Sequence, residues 1–232
     1  MAKQLKYKLA IFDFDGTICA TREAIVYCIK QTFSALDTPI SKENLINHTV
    51  ASGMGLDETF KILNPLFFKQ KPHDLNHWIA TYRYIYLKEG LGKTYIYNGV
   101  KKIFNKFFAN NIAIIIVSNK GIDAINAALK HFGLIDYVKL VIGDTKGIKK
   151  KPDPMLFDNI IKPKFNNIDL KEMFVIGDTK ADILFAKNIG TDSCWVSYGY
   201  GKEEECMALM PTMKIAEINE LKFIKPDFDW DL

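Results

Sequence analysis

Short apolar runs stop abruptly at polar residues at several points along the chain, and segments with apolar residues at helical spacing separate them. Residues 8–12, Ile112-Ala-Ile-Ile-Ile-Val117, Val138–Ile142, Met173-Phe-Val-Ile176 and Ser193–Ser197 have the length and composition of buried strands. Helices are predicted over 100–109, 122–132, 154–161 and 181–188. Strands joined through helices imply βαβ units and a mainly parallel sheet. From Thr21 to Leu91 the pattern changes. Ala24, Ile25, Cys28, Ile29 and Thr32-Phe33 fall at helical spacing, Ser41-Lys-Glu-Asn44 and Asp57-Glu-Thr-Phe60 are helix starts, and His73–Lys88 reads as a longer helix carrying Trp78, Tyr82 and Ile85. This stretch shows no strand. The expected fold is therefore α/β. A Rossmann-like, mainly parallel core (1–18 and 94–232) is interrupted by an all-helical cap (19–93).

Composition narrows the function classes. At 232 residues the chain can bury one core and a smaller satellite domain. Its 48% hydrophobic and 25% charged content is ordinary for a globular protein. The net charge of +4 is small and spread along the chain, which does not argue for nucleic acid. Cys19, Cys28, Cys194 and Cys206 form no C-x-x-C pair, so reduced thiols are expected, with Cys19 read as a small buried hydrophobe ahead of a reactive thiol. No signal peptide and no run of membrane-spanning length is visible. A cytoplasmic protein with no membrane partner is expected, as a monomer or homodimer. The tail Lys225–Leu232 is acidic and aromatic and has no functional reading.

Chemistry enters where the first strand ends, in Asp13-Phe-Asp15-Gly-Thr17. Residues i and i+2 of an extended backbone point the same way, so both carboxylates face one site at the carboxyl end of the strand, where ligands sit in open α/β sheets. At roughly 5% per residue type, four fixed positions recur by chance in about one chain in a thousand of this length. Other strand ends are similar. Strand 112–117 runs into Ser118-Asn119-Lys120-Gly121, which reads equally as a helix cap or as a cradle for phosphate. In Lys149-Lys-Lys-Pro-Asp-Pro154 the prolines stiffen the backbone so that Lys151 can aim inward, while Lys149 and Lys150 read as surface residues. Strand 173–176 ends in Gly177-Asp178-Thr-Lys-Ala-Asp182. Asp178 completes an oxygen-rich set with Asp13 and Asp15, the donor chemistry magnesium prefers, whereas Asp182 alone reads as a helix cap.

In order and spacing these motifs resemble those of the haloacid dehalogenase-like superfamily: Asp13-x-Asp15-Gly-Thr17, Ser118 after a strand, Lys151 before proline, and Gly177-Asp178-x-x-x-Asp182. A helical insert between the first two motifs matches one cap type of that family. Val117-Ser-Asn-Lys120 and Val196-Ser-Tyr-Gly-Tyr-Gly201 resemble its phosphoglycolate phosphatase-like branch. The sequence Ile18-Cys-Ala-Thr-Arg22 departs from the Asp-Ser that often follows Gly-Thr in that branch. The resemblance implies that Asp13 is the nucleophile and Asp15 the general acid and base. Ser118 and Lys151 would hold the phosphoryl oxygens, with Thr17 and Asn119 in the substrate-binding set. Mg2+ would be bound by Asp13, Asp178 and the Asp15 backbone carbonyl, supported by Asp182. The implied activity is an Mg2+-dependent phosphatase acting on a small phosphorylated metabolite through an aspartyl-phosphate, with 2-phosphoglycolate the first candidate. A β-phosphoglucomutase-like mutase, a pyrophosphatase and a nucleotide phosphatase are alternatives. In the cap, Ser52-Gly-Met-Gly-Leu56 reads as either a loop over the site or a plain connection. Arg22 is read as a linker charge ahead of a contact to substrate. Trp78, Tyr82, Tyr84 and Tyr86 are read mostly as packing, with a fraction lining the site.

Overall fold

The computed structural model describes residues 6–145 and 147–221; the tail Lys225–Leu232 lies outside them. Six strands form one all-parallel sheet: β1 (Leu9–Phe12), β4 (Ala113–Val117), β5 (Val138–Ile142), β6 (Met173–Gly177), β7 (Asp192–Val196) and β8 (Met213–Ile215). A separate two-stranded ribbon pairs β2 (Cys19–Ala20) with β3 (Tyr95–Ile96). Strand order in the sheet is β5-β4-β1-β6-β7-β8. The chain leaves β1 for one flank and later returns to pair β6 on the other, so the end of β1 is the point where connections diverge.

Residue alternation explains why β1 reads as an unbroken apolar run. Ala10 and Phe12 enter a cluster with Phe104, Phe107, Ile114 and Ile176, while Leu9 and Ile11 enter another with Ile115, Val175 and Phe185. Both faces of the sheet are covered, the usual condition of parallel strands. Helices α6 (Val100–Ala109) and α7 (Ile122–His131) cover the first face. The second is covered by the π-helical turn Phe157–Ile161, which runs into α8 (Lys162–Lys164), and by α9 (Lys180–Ile189). The short helix α10 (Glu203–Met207) follows β7.

The cap comprises α1 (Arg22–Ala35), α2 (Ile46–Ala51), α3 (Leu56–Leu63), α4 (Pro65–Gln70) and α5 (Leu75–Ile85), and α5 continues into a π-helical turn at Tyr86–Gly90. It has its own core, in which Phe33 and Trp78 meet edge to face at 4.7 Å. The strands β2, β3 and β8 and helix α4 are absent from the sequence reading. Elements this short carry too little periodicity to register. The ribbon lies where the chain passes from core to cap and back. Among the described residues no helix is long and apolar enough to cross a membrane.

Candidate active site

Three strand ends converge beside β1. Asp13 follows the last residue of β1, Ser118 follows β4 and Asp178 follows β6. Beyond Phe12 the backbone folds into a tight turn. Gly16 N donates to Cys19 O at 2.8 Å, and the amides of Ile18 and Cys19 both donate to Phe14 O at 3.0 Å. Gly16 has φ +81°, and a Cβ there would collide with the Asp178 carboxylate, so glycine serves both the turn and the close approach of two strand ends.

Asp178 is fully buried. Its Oδ2 accepts from Tyr200 N at 2.6 Å and its Oδ1 from the Thr17 hydroxyl at 3.3 Å. Thr17, expected among the substrate-binding residues, is itself fully buried and is placed to orient Asp178 rather than to line the chamber above. Lys151 is aimed inward, as expected: its Nζ donates to Asp13 Oδ1 at 2.7 Å and to Asp182 Oδ1 at 2.5 Å. The other oxygen of Asp182 accepts from Thr179 N at 3.0 Å and Thr179 Oγ1 at 2.8 Å, at the start of α9. Asp182 is therefore a helix cap and a partner of Lys151 at once, with both oxygens engaged.

The electrostatics of the cluster favour a cation. Burial is the largest influence on Asp13 and pushes its carboxyl up to about 7; the Lys151 ammonium opposes that shift, and the Asp182 and Asp15 carboxylates add to it. Burial, then Asp13 and Asp182, hold Asp178 well above the usual carboxylate range. Burial works against the charge of Lys151, but Asp13 and Asp182 more than offset it and raise its affinity for a proton. Carboxylate oxygens of Asp13, Asp178 and Asp182 lie within 4.8 Å of one another. An all-oxygen, anionic, buried donor set fits a hard divalent cation such as magnesium, with Asp13 and Asp178 as the residues that would hold it.

Asp15 turns away from this cluster. Its carboxylate meets Lys120 Nζ at 3.0 and 3.4 Å, and that ammonium sits 3.9 Å from the centre of the Tyr86 ring in the cap. Lys120 belongs to this candidate site, and the sequence reading used it only as part of a motif. A lysine at a helix start carries no local signal for a contact more than a hundred positions distant. Asn119 joins three parts of the site: its Nδ2 donates to Gly53 O of the cap at 2.8 Å and to Lys151 O at 3.3 Å, and its Oδ1 accepts from Lys151 N at 3.1 Å. The loop 52–56 thus reaches over the site. Ser118 is buried at the chamber floor, and Tyr82 and Tyr86 line the chamber, whereas Trp78 packs in the cap and Tyr84 is exposed.

Three smaller expectations change or resolve. Lys150, read as a surface residue, forms an ion pair with Asp57 of the cap and lies 3.7 Å from Asp144, because the turn that presents Lys151 also turns Lys150 towards the cap. Asp144 in turn accepts from Arg83 Nη2 of the cap at 2.7 Å. Arg22 stacks its guanidinium 4.8 Å from the Tyr200 ring. Cys19 is fully buried, and burial first, then Asp15, raise its thiol pKa, which removes nucleophilic character.

A parallel sheet with a carboxylate pair after its first strand, a buried lysine paired with the first of those carboxylates and a helical cap above together define an α/β core with a charged, buried site at its strand ends. The chain belongs to the haloacid dehalogenase-like hydrolase family, whose model matches residues 10–196. It is 26% identical over 226 residues to a phosphoglycolate phosphatase of Vibrio parahaemolyticus, covering 94% of this chain and 96% of that one. It is 27% identical over 224 residues to the pyrophosphatase PpaX of Listeria monocytogenes, covering 96% and 98%. Among solved structures, a haloacid dehalogenase-like hydrolase from Bacteroides fragilis superimposes with a TM-score of 0.81 at 23% identity, over 94% of this chain and all of that one.

Proposed function

We propose that the protein is an Mg2+-dependent phosphatase that hydrolyses a small phosphomonoester through an aspartyl-phosphate on Asp13. The observation that supports this most is the seating of Asp13 against Lys151, 2.7 Å away, with Asp178 beside it and Asp15 on the chamber side. A carboxylate approaches a phosphate dianion only if cations offset their repulsion. Lys151 supplies one positive charge, and a magnesium ion held by Asp13 and Asp178 would supply the rest. Asp13 attacks phosphorus while the bond to the leaving oxygen breaks, and Asp15 gives that oxygen its proton. Asp15 then takes a proton from water, whose oxygen displaces Asp13 and frees inorganic phosphate. Lys120 holds the Asp15 carboxylate in place between the two half-reactions. The cap excludes bulk water while it covers the site.

Likeness to named relatives puts 2-phosphoglycolate and pyrophosphate first among compounds to assay. Phosphate release from phosphorylated metabolites, with and without Mg2+, tests the reading. Asp13→Asn should lower the rate by about a thousandfold or more. Equal rates in both proteins would refute the role of Asp13. Rearrangement of a sugar phosphate with little free phosphate would identify a mutase instead.

A further inference from the structure

The chamber between core and cap, with the phosphoryl site at its floor, has a cavity of about 130 Å3 in all. A dry cavity of roughly 150 Å3 holds benzene, so once the phosphoryl group is seated the remaining space suits a small leaving group. Its upper wall is apolar: Ile25, Ile29, Val50, Met54, Leu87 and Ile122 face it. Charge in the lining is unbalanced towards the negative, with five carboxylates (Asp13, Asp15, Asp123, Asp144 and Asp182) against three cations (Arg83, Lys120 and Lys151). Each cation already has a carboxylate partner. Lys151 is shared by Asp13 and Asp182, Lys120 is held by Asp15 and boxed in by the Tyr86 ring, and Arg83 is held by Asp144. Arg83 Nε has no hydrogen-bond partner among the described residues, but it lies against Gly121, where an added Cβ would come within 3.2 Å of it, and is shut off from solvent.

We infer that the leaving group this site accepts is an uncharged, largely apolar alcohol, and that a carboxylate or a second phosphate there is disfavoured. The inference rests on the phosphatase reading and narrows it. The phosphoryl group's own charge is met by Lys151 and by the cation site at Asp13 and Asp178. An anionic leaving group would meet the apolar wall, Asp123, neutral hydroxyl and amide groups such as Tyr82, Thr59 and Asn119, and cations already paired with carboxylates. Binding it would require drawing the buried Lys120 or Lys151 from its carboxylate, or leaving the new charge without a full partner, and both are costly. An apolar alcohol instead gains from burial against the cap.

The test is kcat/KM for phosphate release in Mg2+, measured on matched pairs: phenyl phosphate against 4-carboxyphenyl phosphate, and propyl phosphate against 2-phosphoglycolate. The neutral member of each pair should be preferred by about tenfold or more. Met54→Lys, which places an unpaired cation on the apolar wall, should shift that ratio about tenfold towards the anionic member. Equal or better use of the anionic members by the natural protein overturns the inference while leaving the phosphatase reading intact. Release from no member of either pair overturns both. Should Met54→Lys fail to fold, the comparison with the natural protein decides alone.

Discussion

Gly16 shows how much one residue decides here. Its positive φ allows the turn after β1, and its missing side chain leaves room for the Asp178 carboxylate. Alanine would meet both a disfavoured backbone conformation, costing roughly 1–2 kcal/mol, and a collision with buried atoms. Gly16→Ala should therefore lose about 2 kcal/mol or more of stability in urea unfolding and weaken Mg2+ binding by calorimetry, because Asp178 must move. Unchanged Mg2+ affinity would show that Asp178 is not a ligand. The motif Asp13-x-Asp15-Gly-Thr17 could be read from sequence because its chemistry is local to one strand end. The division of labour within it could not. Thr17 orients Asp178, 161 positions away, and Asp15 faces Lys120, 105 positions away.

Elements of core and cap meet through a few polar contacts. Asp144, just beyond β5, is bonded to Arg83 of α5 and lies near Lys150, which pairs with Asp57 of α3. These side chains are 20–41% exposed, so each pair contributes about 1 kcal/mol at most. Asp144→Asn should leave the strands of the core unchanged and speed amide hydrogen exchange in residues 52–56 and 82–90 several-fold, as the cap opens more often. Exchange that stays the same in the cap would mean that other contacts, such as Asn119 to Gly53 O, hold it without the Asp144 pairs. Five of the six strands of the sheet and the long cap helices were legible from their hydrophobic periods, whereas β8 was not. The ribbon β2–β3 was not, because two-residue strands are defined by their partners rather than by their own pattern.

Across the whole molecule, folding places the Asp13, Asp178 and Asp182 carboxylates together in the interior. With no metal bound, the pKa of Asp13 is raised to about 7 and that of Asp178 is raised as well, both above the unfolded value of about 3.9. The folded state then binds more protons than the unfolded chain from about pH 4 upwards. By linkage, these two groups make the metal-free protein lose stability as pH rises through that window and past 7. A bound divalent cation displaces the protons, so its stabilising effect should grow with pH. Melting temperatures in EDTA and in saturating Mg2+, taken at pH 5 and pH 8, check this. The gain from Mg2+ should be several degrees larger at pH 8, and a gain equal or larger at pH 5 would contradict it.

The sequence alone determined the class of fold, the boundaries of most strands and which polar residues stand at the strand ends, because apolar period and strand-end carboxylates are properties of neighbouring residues. Only the tertiary structure decided which charges meet. It made Lys150 a bridge to the cap rather than a surface residue, gave Lys120 to Asp15 and Arg83 to Asp144, and paired each cation among the described residues of the chamber lining with a carboxylate. Those pairings join positions 61 to 105 residues apart. No local pattern encodes them, and they arise when packing of the core and cap removes these groups from water.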